Sequence, residues 1–257
     1  MKFSTYIYSP LDQFEILPIV SLNTIFADFS LTNVNIILFL IFFFLSSIYY
    51  LMINLRDSSL PIQLNNWPIV FNGVYNLVKD LVLNNIGVKG AKFFPLVFCI
   101  FVYIVCLNLI GLIPYSYTIT SHLIVTFALA LFIFIGINII TARYHGFEMF
   151  SLFLPSGTSL ALAFLLVPIE LISYIFKPVS LSIRLFANMM AGHTLLKVIA
   201  GFAYTMMGLT GILFFVHYVP LLILIPLFLL ELGVSLIQAF VFSVLICIYL
   251  NDAINLH

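Results

Sequence analysis

The sequence contains very little charge. Of its 257 residues only 7% are charged, and nine basic side chains balance nine acidic ones. A chain without a surplus of either sign lacks the electrostatic surface that nucleic acids or acidic substrates require. A typical soluble domain carries about 25% charged residues, so the shortage also argues against a surface that faces water on all sides. Nucleic-acid binding and an ordinary soluble fold are therefore both disfavoured.

Cysteine is scarce as well. Cys99, Cys106 and Cys247 lie inside apolar runs without CxxC or CxxH spacing, which predicts neither a disulfide framework nor a metal site. We expect all three to be packing residues. The phosphate-binding pattern GxxxxGK[ST] is also absent, so nucleotide binding belongs to a partner. We therefore expect no cofactor, no metal and no bond chemistry by this chain alone.

Most of the chain is apolar. Hydrophobic residues make up 64% of the sequence, and the mean hydropathy is +1.25, far above that of a soluble domain. Runs of about 20 apolar residues predict membrane helices, here at Val34–Ile53, Phe93–Ile113 and Leu123–Ile140. The expected fold is a single all-α integral membrane domain over residues 1–257, with residues 93–140 forming a helical hairpin.

Two further apolar segments are too long for a simple span. Thr158–Phe202 and Ile212–Leu250 would each extend about 60 Å as single helices, roughly twice the hydrocarbon thickness. Each must therefore tilt steeply or break, and the prolines within them are compatible with either outcome. With these two, the sequence predicts about five membrane helices.

A sixth helix is predicted to lie on the membrane surface. Trp67, Phe71, Val74, Val78 and Leu81 recur at helical spacing, which predicts an amphipathic helix over residues 68–86. If there are five spans, all five basic residues nearest to them fall on one face of the membrane; they are Arg56, Lys79, Lys89, Lys92 and Arg143. The positive-inside rule makes that face the matrix or cytoplasmic one, with the C-terminus on the same side.

Polar residues form a stripe along one of the two long segments. Seven residues turn an ideal helix by about 700°, close to two full turns. Glu170, Lys177 and Arg184 are spaced by seven and share nearly one face, with Asn188 about 40° away. An ionised guanidinium at the bilayer centre costs about 2.5–3.5 kcal/mol on insertion scales, so Arg184 indicates a function, most often transport.

A second stripe is predicted in the final segment. Glu231 and Gln238 are seven residues apart, and Asp252 is fourteen further on, so the three share one helix face. His193 does not fit the first stripe, because nine residues turn about 900° and place it opposite Arg184 on an unbent helix. Either that helix bends, or His193 serves a separate cavity. Two stripes indicate paired water paths, although polar groups that only bond one another would give the same pattern.

Four motifs at these residues resemble a known family. They are "SLSIRLFANMMAGH" at Ser180–His193, "LELGVSLIQAF" at Leu230–Phe240, "NLIGLIPYSY" at Asn108–Tyr117 and the ending "YLNDAINLH". Together they resemble subunit a of the proton-translocating F-type ATP synthase, and the resemblance covers essentially the whole chain. The opening "SPLDQFEI" is similar to the fungal mitochondrial form, in which a short leader, here residues 1–8, is removed.

The resemblance implies a stator subunit of the Fo sector that forms two aqueous half-channels beside a rotating ring of c subunits. Arg184 would face the carboxylates of this c ring and stop protons from leaking straight across. The other implied roles fall to three pairs: Glu170 and Asp252 at the matrix exit, His193 and Glu231 at uptake from the intermembrane space, and Asn188 and Gln238 as polar lining near Arg184. Residues 158–254 would form a long tilted helix pair facing the c ring.

The implied partners are the c ring, the peripheral-stalk and other Fo subunits, membrane lipid and protons. Small residues beside the arginine, Ala187, Ala191 and Gly192, are expected either to allow close approach of the c ring or to pack helices within the subunit.

Two other classes of membrane protein remain as alternatives. A haem-binding subunit of the cytochrome b kind needs matching histidine pairs on two helices, whereas His122, His145, His193 and His217 are spaced by 23, 48 and 24 residues. A self-contained secondary transporter commonly shows an internal repeat of spans, and this sequence has none.

The location is inferred from the hydrophobicity and from the absence of an arginine-rich transit peptide before the first span. Such a chain is difficult to import across two membranes, so we expect synthesis inside the organelle. We expect a multi-pass protein of the mitochondrial inner membrane, with the N-terminus in the intermembrane space and the C-terminus in the matrix. A bacterial inner membrane is the alternative.

Overall fold

The computed structural model describes residues 9, 11–21, 30–57, 67–113, 116–146, 160–208 and 216–254. The leader predicted at residues 1–8 lies outside them. The helices are α1 (Asn33–Asp57), α2 (Trp67–Ile86), α3 (Phe94–Leu112), α4 (Leu123–His145), α5 (Leu160–Met207) and α6 (Tyr218–Ile254). Two short antiparallel strands, β1 (Pro18–Val20) and β2 (Leu31–Thr32), precede α1, with Pro18 opposite Thr32.

Four helices in the described part of the chain are long and apolar enough to cross a membrane. They cover Gly90–Leu112, Leu123–His145, Phe164–Met207 and Tyr218–Ile254. The first span predicted from the sequence, Val34–Ile53, lies within α1, a helix of 25 residues. Helices suit a bilayer because they satisfy every backbone polar group within one segment. The fold class predicted from the sequence, an all-α integral membrane protein, is confirmed.

The C-terminal half of α6 is the centre of the core. Phe242, Ile246 and Leu250 are spaced by four residues on one face, and all three are fully buried. Around them pack α2, α3, α4 and α5. Of the three cysteines, Cys106 and Cys247 are buried and Cys99 is exposed on α3.

The helix α2 shows the amphipathic pattern that its sequence predicts. Val78, Leu81 and Val82 are buried within the core, whereas Lys79 and Asp80 are exposed. The buried face packs against α3 and α6. The buried face of α2 therefore packs on the C-terminal half of α6, and its polar face stays exposed on the surface of the bundle.

The two helices expected to form a hairpin over residues 93–140 make their principal contacts elsewhere. The first of them, α3, packs chiefly against α6, and α4 packs against both α5 and α6. The long helices thus lie between elements that are neighbours in the sequence. Spacing within one segment does not encode such an arrangement, since it depends on which surfaces pack together.

Within the described residues, each long apolar segment forms one continuous helix. There are 48 residues in α5, with Pro168 and Pro178 in its interior, and 37 in α6, which contains Pro226. At 1.5 Å per residue these helices are about 72 and 56 Å long. In a bilayer with a hydrocarbon core of about 30 Å, helices of this length must incline steeply or extend beyond it.

One end of the bundle is fixed by contacts between helix termini. The Nε2 atom of His145, in the last turn of α4, lies 3.2 Å from the backbone oxygen of Ile254 at the end of α6. Gly146 then ends α4 with a positive φ of 54°, a conformation that glycine adopts without steric cost. The C-terminal ends of α4 and α6 therefore lie side by side.

At the opposite end, Tyr117 connects the N-terminal segment to the loop before α4. Its hydroxyl donates to the backbone oxygen of Phe14 at 3.1 Å and contacts Nε2 of His122. Burial raises the pKa of Tyr117 to about 12 and lowers the pKa of His122, because each charged form is poorly solvated there. Neutral forms of both side chains hold this contact.

Candidate functional site

The residues singled out in the sequence lie on α5 and α6, which pack against each other along their length. Their contacts form two clusters. An inner cluster consists of His193, Glu231, Asn188 and Gln238, and an outer cluster consists of Lys177, Asp252, Tyr174 and Tyr249. Arg184 lies between the two along α5.

The inner cluster brings His193 together with Glu231. Nε2 of His193 lies 3.6 Å from Oε1 of Glu231, and the two side chains are only 16% and 5% exposed. The imidazole of His193 therefore faces the carboxylate of the neighbouring helix.

The carboxylate of Glu231 is buried without a direct hydrogen bond. Neither of its oxygens accepts a bond from the described part of the protein, and burying an ionised carboxylate without donors is costly. A cavity of about 240 Å³ adjoins it, and Asn188, Gly192 and Leu227 contribute to its lining. About 10–15 Å³ suffices for one water molecule, so the cavity has room for several. The site can therefore hold a hydrated acid next to an imidazole.

Gly192 allows Glu231 to lie this close to α5. A Cβ atom at residue 192 would be 2.6 Å from Oε1 and 2.9 Å from Cδ of Glu231. Both distances are far below van der Waals contact. Gly192 thus belongs to the packing within the subunit, the second of the two roles expected for the small residues.

A direct hydrogen bond joins the other two members of the inner cluster. Nδ2 of Asn188 donates to Oε1 of Gln238 at 2.9 Å. Further into the bundle, Nδ2 of Asn108 on α3 donates to the backbone oxygen of Ser235 at 3.1 Å. Asn108 is 1% exposed. A polar layer therefore extends from α5 through α6 to α3.

Arg184 differs from all of these residues because its side chain is exposed on the surface of the bundle. Among the described residues it forms no hydrogen bond or ion pair, although Tyr249 lies close enough to interact with it electrostatically. Ala187 and Ala191, on the following turns, are exposed as well. Small side chains therefore occupy the exposed positions one and two turns after Arg184.

The outer cluster contains an ion pair that the spacing within each helix did not predict. Nζ of Lys177 lies 3.8 Å from Oδ2 of Asp252. Glu170, seven residues before Lys177, is exposed and has no hydrogen bond or ion pair among the described residues.

Several residues of these clusters were not singled out in the sequence. Tyr174 and Tyr249 look like ordinary aromatic residues of an apolar helix. Asn138, which accepts a hydrogen bond from the hydroxyl of Tyr174, is an isolated amide in α4. Asn108 carried a usable signal, since it interrupts the apolar span Phe93–Ile113 and intramembrane polar residues usually have partners.

Comparisons with known proteins identify the family of the chain. Residues 32–251 match the family described as ATP synthase A chain. The chain is 53% identical over 249 residues to ATP synthase subunit a of Pylaiella littoralis, covering 97% of this chain and 99% of the relative. It is 48% identical over 261 residues to the protein of that name from Chondrus crispus, with 100% of both chains covered.

A third relative, ATP synthase subunit a of Brassica napus, is 45% identical over 263 residues, again with 100% of both chains covered. The fungal character inferred from the N-terminal residues is not confirmed by these matches. The similarity to these relatives extends over 97–100% of the chain. The chain therefore belongs to the ATP synthase A chain family.

Proposed function

We propose that this chain is the stator subunit that conducts protons to and from a rotating c ring through two half-channels. The observation that carries the proposal is the exposed Arg184 between two polar clusters. His193 follows it by nine residues and Lys177 precedes it by seven, which corresponds to about 14 and 10 Å along the helix. No continuous polar path needs to pass the arginine, so the two sides can serve different compartments.

The charges provide a mechanism. A carboxylate of the c ring that faces lipid must be protonated, because an ionised one in hydrocarbon is very costly. Beside Arg184 the opposite charge favours the ionised form. The proton therefore leaves at the arginine, and another is taken up on the far side. Arginine suits this position because it stays charged even when water is excluded.

Each cluster then serves one compartment. The inner cluster, with Glu231, His193 and the adjoining cavity, conducts protons from the intermembrane space. The outer cluster, with Asp252, releases them to the matrix, and Glu170 lies on the same side. This orientation rests on the positive-inside rule and belongs to the mitochondrial inner membrane. Each proton that moves down a membrane potential contributes about 2.3 kcal/mol per 100 mV.

The proposal is tested by cross-linking the surface around Arg184 to the c ring. In the variant Ala187→Cys, with Cys99→Ser to remove an exposed thiol, oxidation is expected to form a disulfide with a cysteine placed beside the ring carboxylate. Ala187 is exposed one turn beyond Arg184, and a disulfide requires Cα atoms within about 7 Å. The measurement is the cross-linked a–c product on a non-reducing gel of the intact complex.

Phe132→Cys provides the matched control for this experiment. Phe132 lies on α4 and is 80% exposed, so its thiol is equally accessible but projects from another helix. A product from Phe132→Cys with none from Ala187→Cys would mean that the c ring does not face Arg184, and the proposed mechanism would then be wrong.

A second prediction concerns the fit between Gly192 and Glu231. The variant Gly192→Ala is expected to lower ATP-driven proton pumping about tenfold, because the new methyl group must displace the Glu231 carboxylate. The clashing atoms are the far end of a flexible side chain, so the carboxylate moves aside, and a misplacement of about 1 Å can cost up to about a hundredfold in rate. Alanine favours helix by about 1 kcal/mol over glycine, so the amount of assembled complex should not fall. Pumping is measured as quenching of a pH-sensitive dye in membrane vesicles.

Gly233→Ala is the control, because Gly233 lies on α6 two residues from Glu231 and an added Cβ there meets no atom within 4 Å. It is expected to pump at the parent rate. Equal pumping by Gly192→Ala and Gly233→Ala would show that the position of Glu231 has no effect on proton flow.

A further inference from the structure

Lys177 has no task in the mechanism above, yet its ammonium group is held by two helices. Nζ lies 3.8 Å from Oδ2 of Asp252 and 4.8 Å from the centroid of the Tyr249 ring, both on α6. It also lies 5.1 Å from the centroid of the Tyr174 ring, one turn earlier on α5. A long lysine side chain loses considerable conformational freedom in one place. Two cation–π contacts and one ion pair offset that loss.

The surroundings of this ammonium group are themselves fixed. The hydroxyl of Tyr174 donates to Oδ1 of Asn138 on α4. The ring of Tyr174 also packs against that of Phe134, with centroids 4.9 Å apart. Through Tyr174, the outer cluster on α5 and α6 is also attached to α4. It is therefore more than a chance contact between two partly exposed charges.

We infer that Lys177 is a positioning residue that holds the carboxylate of Asp252 at the exit of the proton path. This inference rests on the proposed function. The side chain of Asp252 is 42% exposed, and the structure gives it no other ion pair among the described residues. Lys177 is therefore the group that restrains it.

Position matters because a carboxylate exchanges protons only with groups within hydrogen-bond reach, directly or through one water molecule. Tyr249 links the Lys177–Asp252 pair to Arg184. Its ring lies beneath the ammonium group of Lys177, and it interacts electrostatically with Arg184. A protonated lysine has three donors and no acceptor. Lys177 can thus orient the carboxylate of Asp252 through its positive charge and its N–H donors.

The inference is tested in the intact complex by ATP-driven proton pumping into membrane vesicles. Lys177→Met is expected to lower pumping about threefold, a modest effect because partly exposed ion pairs are weak. Lys177→Arg is expected to restore most of the rate, since a guanidinium keeps the charge and stacks on aromatic rings. A lysine that only filled space would be replaced well by methionine and poorly by arginine. That result would overturn the inference.

A double-mutant cycle identifies the residue through which Lys177 acts. If Lys177 works by positioning Asp252, then Lys177→Met should cause no further loss in an Asp252→Asn background. Two losses that multiply would overturn the inference. If methionine prevents assembly of the complex, Lys177→Gln provides the same comparison with a polar side chain.

Lys197→Met is the matched control. Lys197 lies on the same helix, about 30 Å beyond Lys177, and is likewise partly buried. A complex with Lys197→Met should pump protons normally.

Normal pumping by Lys177→Met, with Asp252→Asn impaired, would contradict only the positioning role of Lys177. Normal pumping by both Asp252→Asn and Glu231→Leu would instead overturn the proposed half-channels.

Discussion

Arg184→Ala is expected to abolish ATP synthesis driven by proton flow. The exposed guanidinium is the charge that favours ionisation of the ring carboxylate, and alanine removes both this attraction and the barrier between the two half-channels. An interaction of about 3 kcal/mol corresponds to roughly a hundredfold in rate, so synthesis should fall to about 1% or less. The measurement is ATP formation in energised vesicles at equal amounts of assembled complex.

Two further variants show whether the loss comes from charge at that point. Arg184→Lys keeps a cation, but lysine can deprotonate when buried, so it should leak protons and still fail to support normal synthesis. Arg143→Ala removes an exposed guanidinium from the last turn of α4 and should leave synthesis near the parent rate. Normal synthesis by Arg184→Ala would refute the role assigned to this residue.

Glu231→Leu is expected to slow proton flow at least about tenfold. The carboxylate is 5% exposed, lies 3.6 Å from His193 and adjoins the cavity between α5 and α6. Leucine has a similar volume but cannot bind a proton, and general acid–base groups typically contribute about 10²–10⁴-fold where proton transfer limits the rate. ATP-driven pumping and passive proton conduction through Fo are both measured.

Ser235→Ala is the control for Glu231, since Ser235 lies one turn away on α6 and is equally buried at 2%. Its hydroxyl donates to the backbone oxygen of Leu232 in its own helix at 2.8 Å, so its loss should leave proton flow near the parent rate. Unchanged pumping by Glu231→Leu would take Glu231 out of the proton path.

Glu231→Leu and Arg184→Ala are expected to cause different kinds of defect, as well as losses of different size. Glu231→Leu removes a proton-binding group from one half-channel, so pumping slows while coupling between proton flow and rotation is retained. Arg184→Ala removes the separation itself, so proton flow no longer requires rotation. Comparing ATP hydrolysis with proton transport in the same vesicles distinguishes a slow, coupled complex from an uncoupled one.

The class of protein and most of its secondary structure could be predicted from the sequence. Hydropathy separates membrane helices from loops because the bilayer excludes unsatisfied backbone groups and charged side chains. The polar stripe of Arg184 and Lys177 follows from helical periodicity, which is a local property. The motif around Arg184 also led to the family that the comparisons then established.

The partners across α5 and α6 could not be predicted in the same way. His193 pairs with Glu231, Asn188 with Gln238 and Lys177 with Asp252. Which residues face one another depends on the register of two antiparallel helices, and that register is set by apolar packing around Phe242, Ile246 and Leu250. Spacing inside one helix contains no information on this register.

The sequence by itself thus determined that the chain lies in a membrane, which segments are helical, and that Arg184 is costly enough to require a function. Only the tertiary structure decided that His193 turns toward Glu231, that Gly192 leaves room for that carboxylate, and that Lys177 forms an ion pair with Asp252. The physical reason is that periodicity and hydropathy arise from neighbours along the chain. Pairing between helices depends on the packing of residues that lie far apart in the sequence.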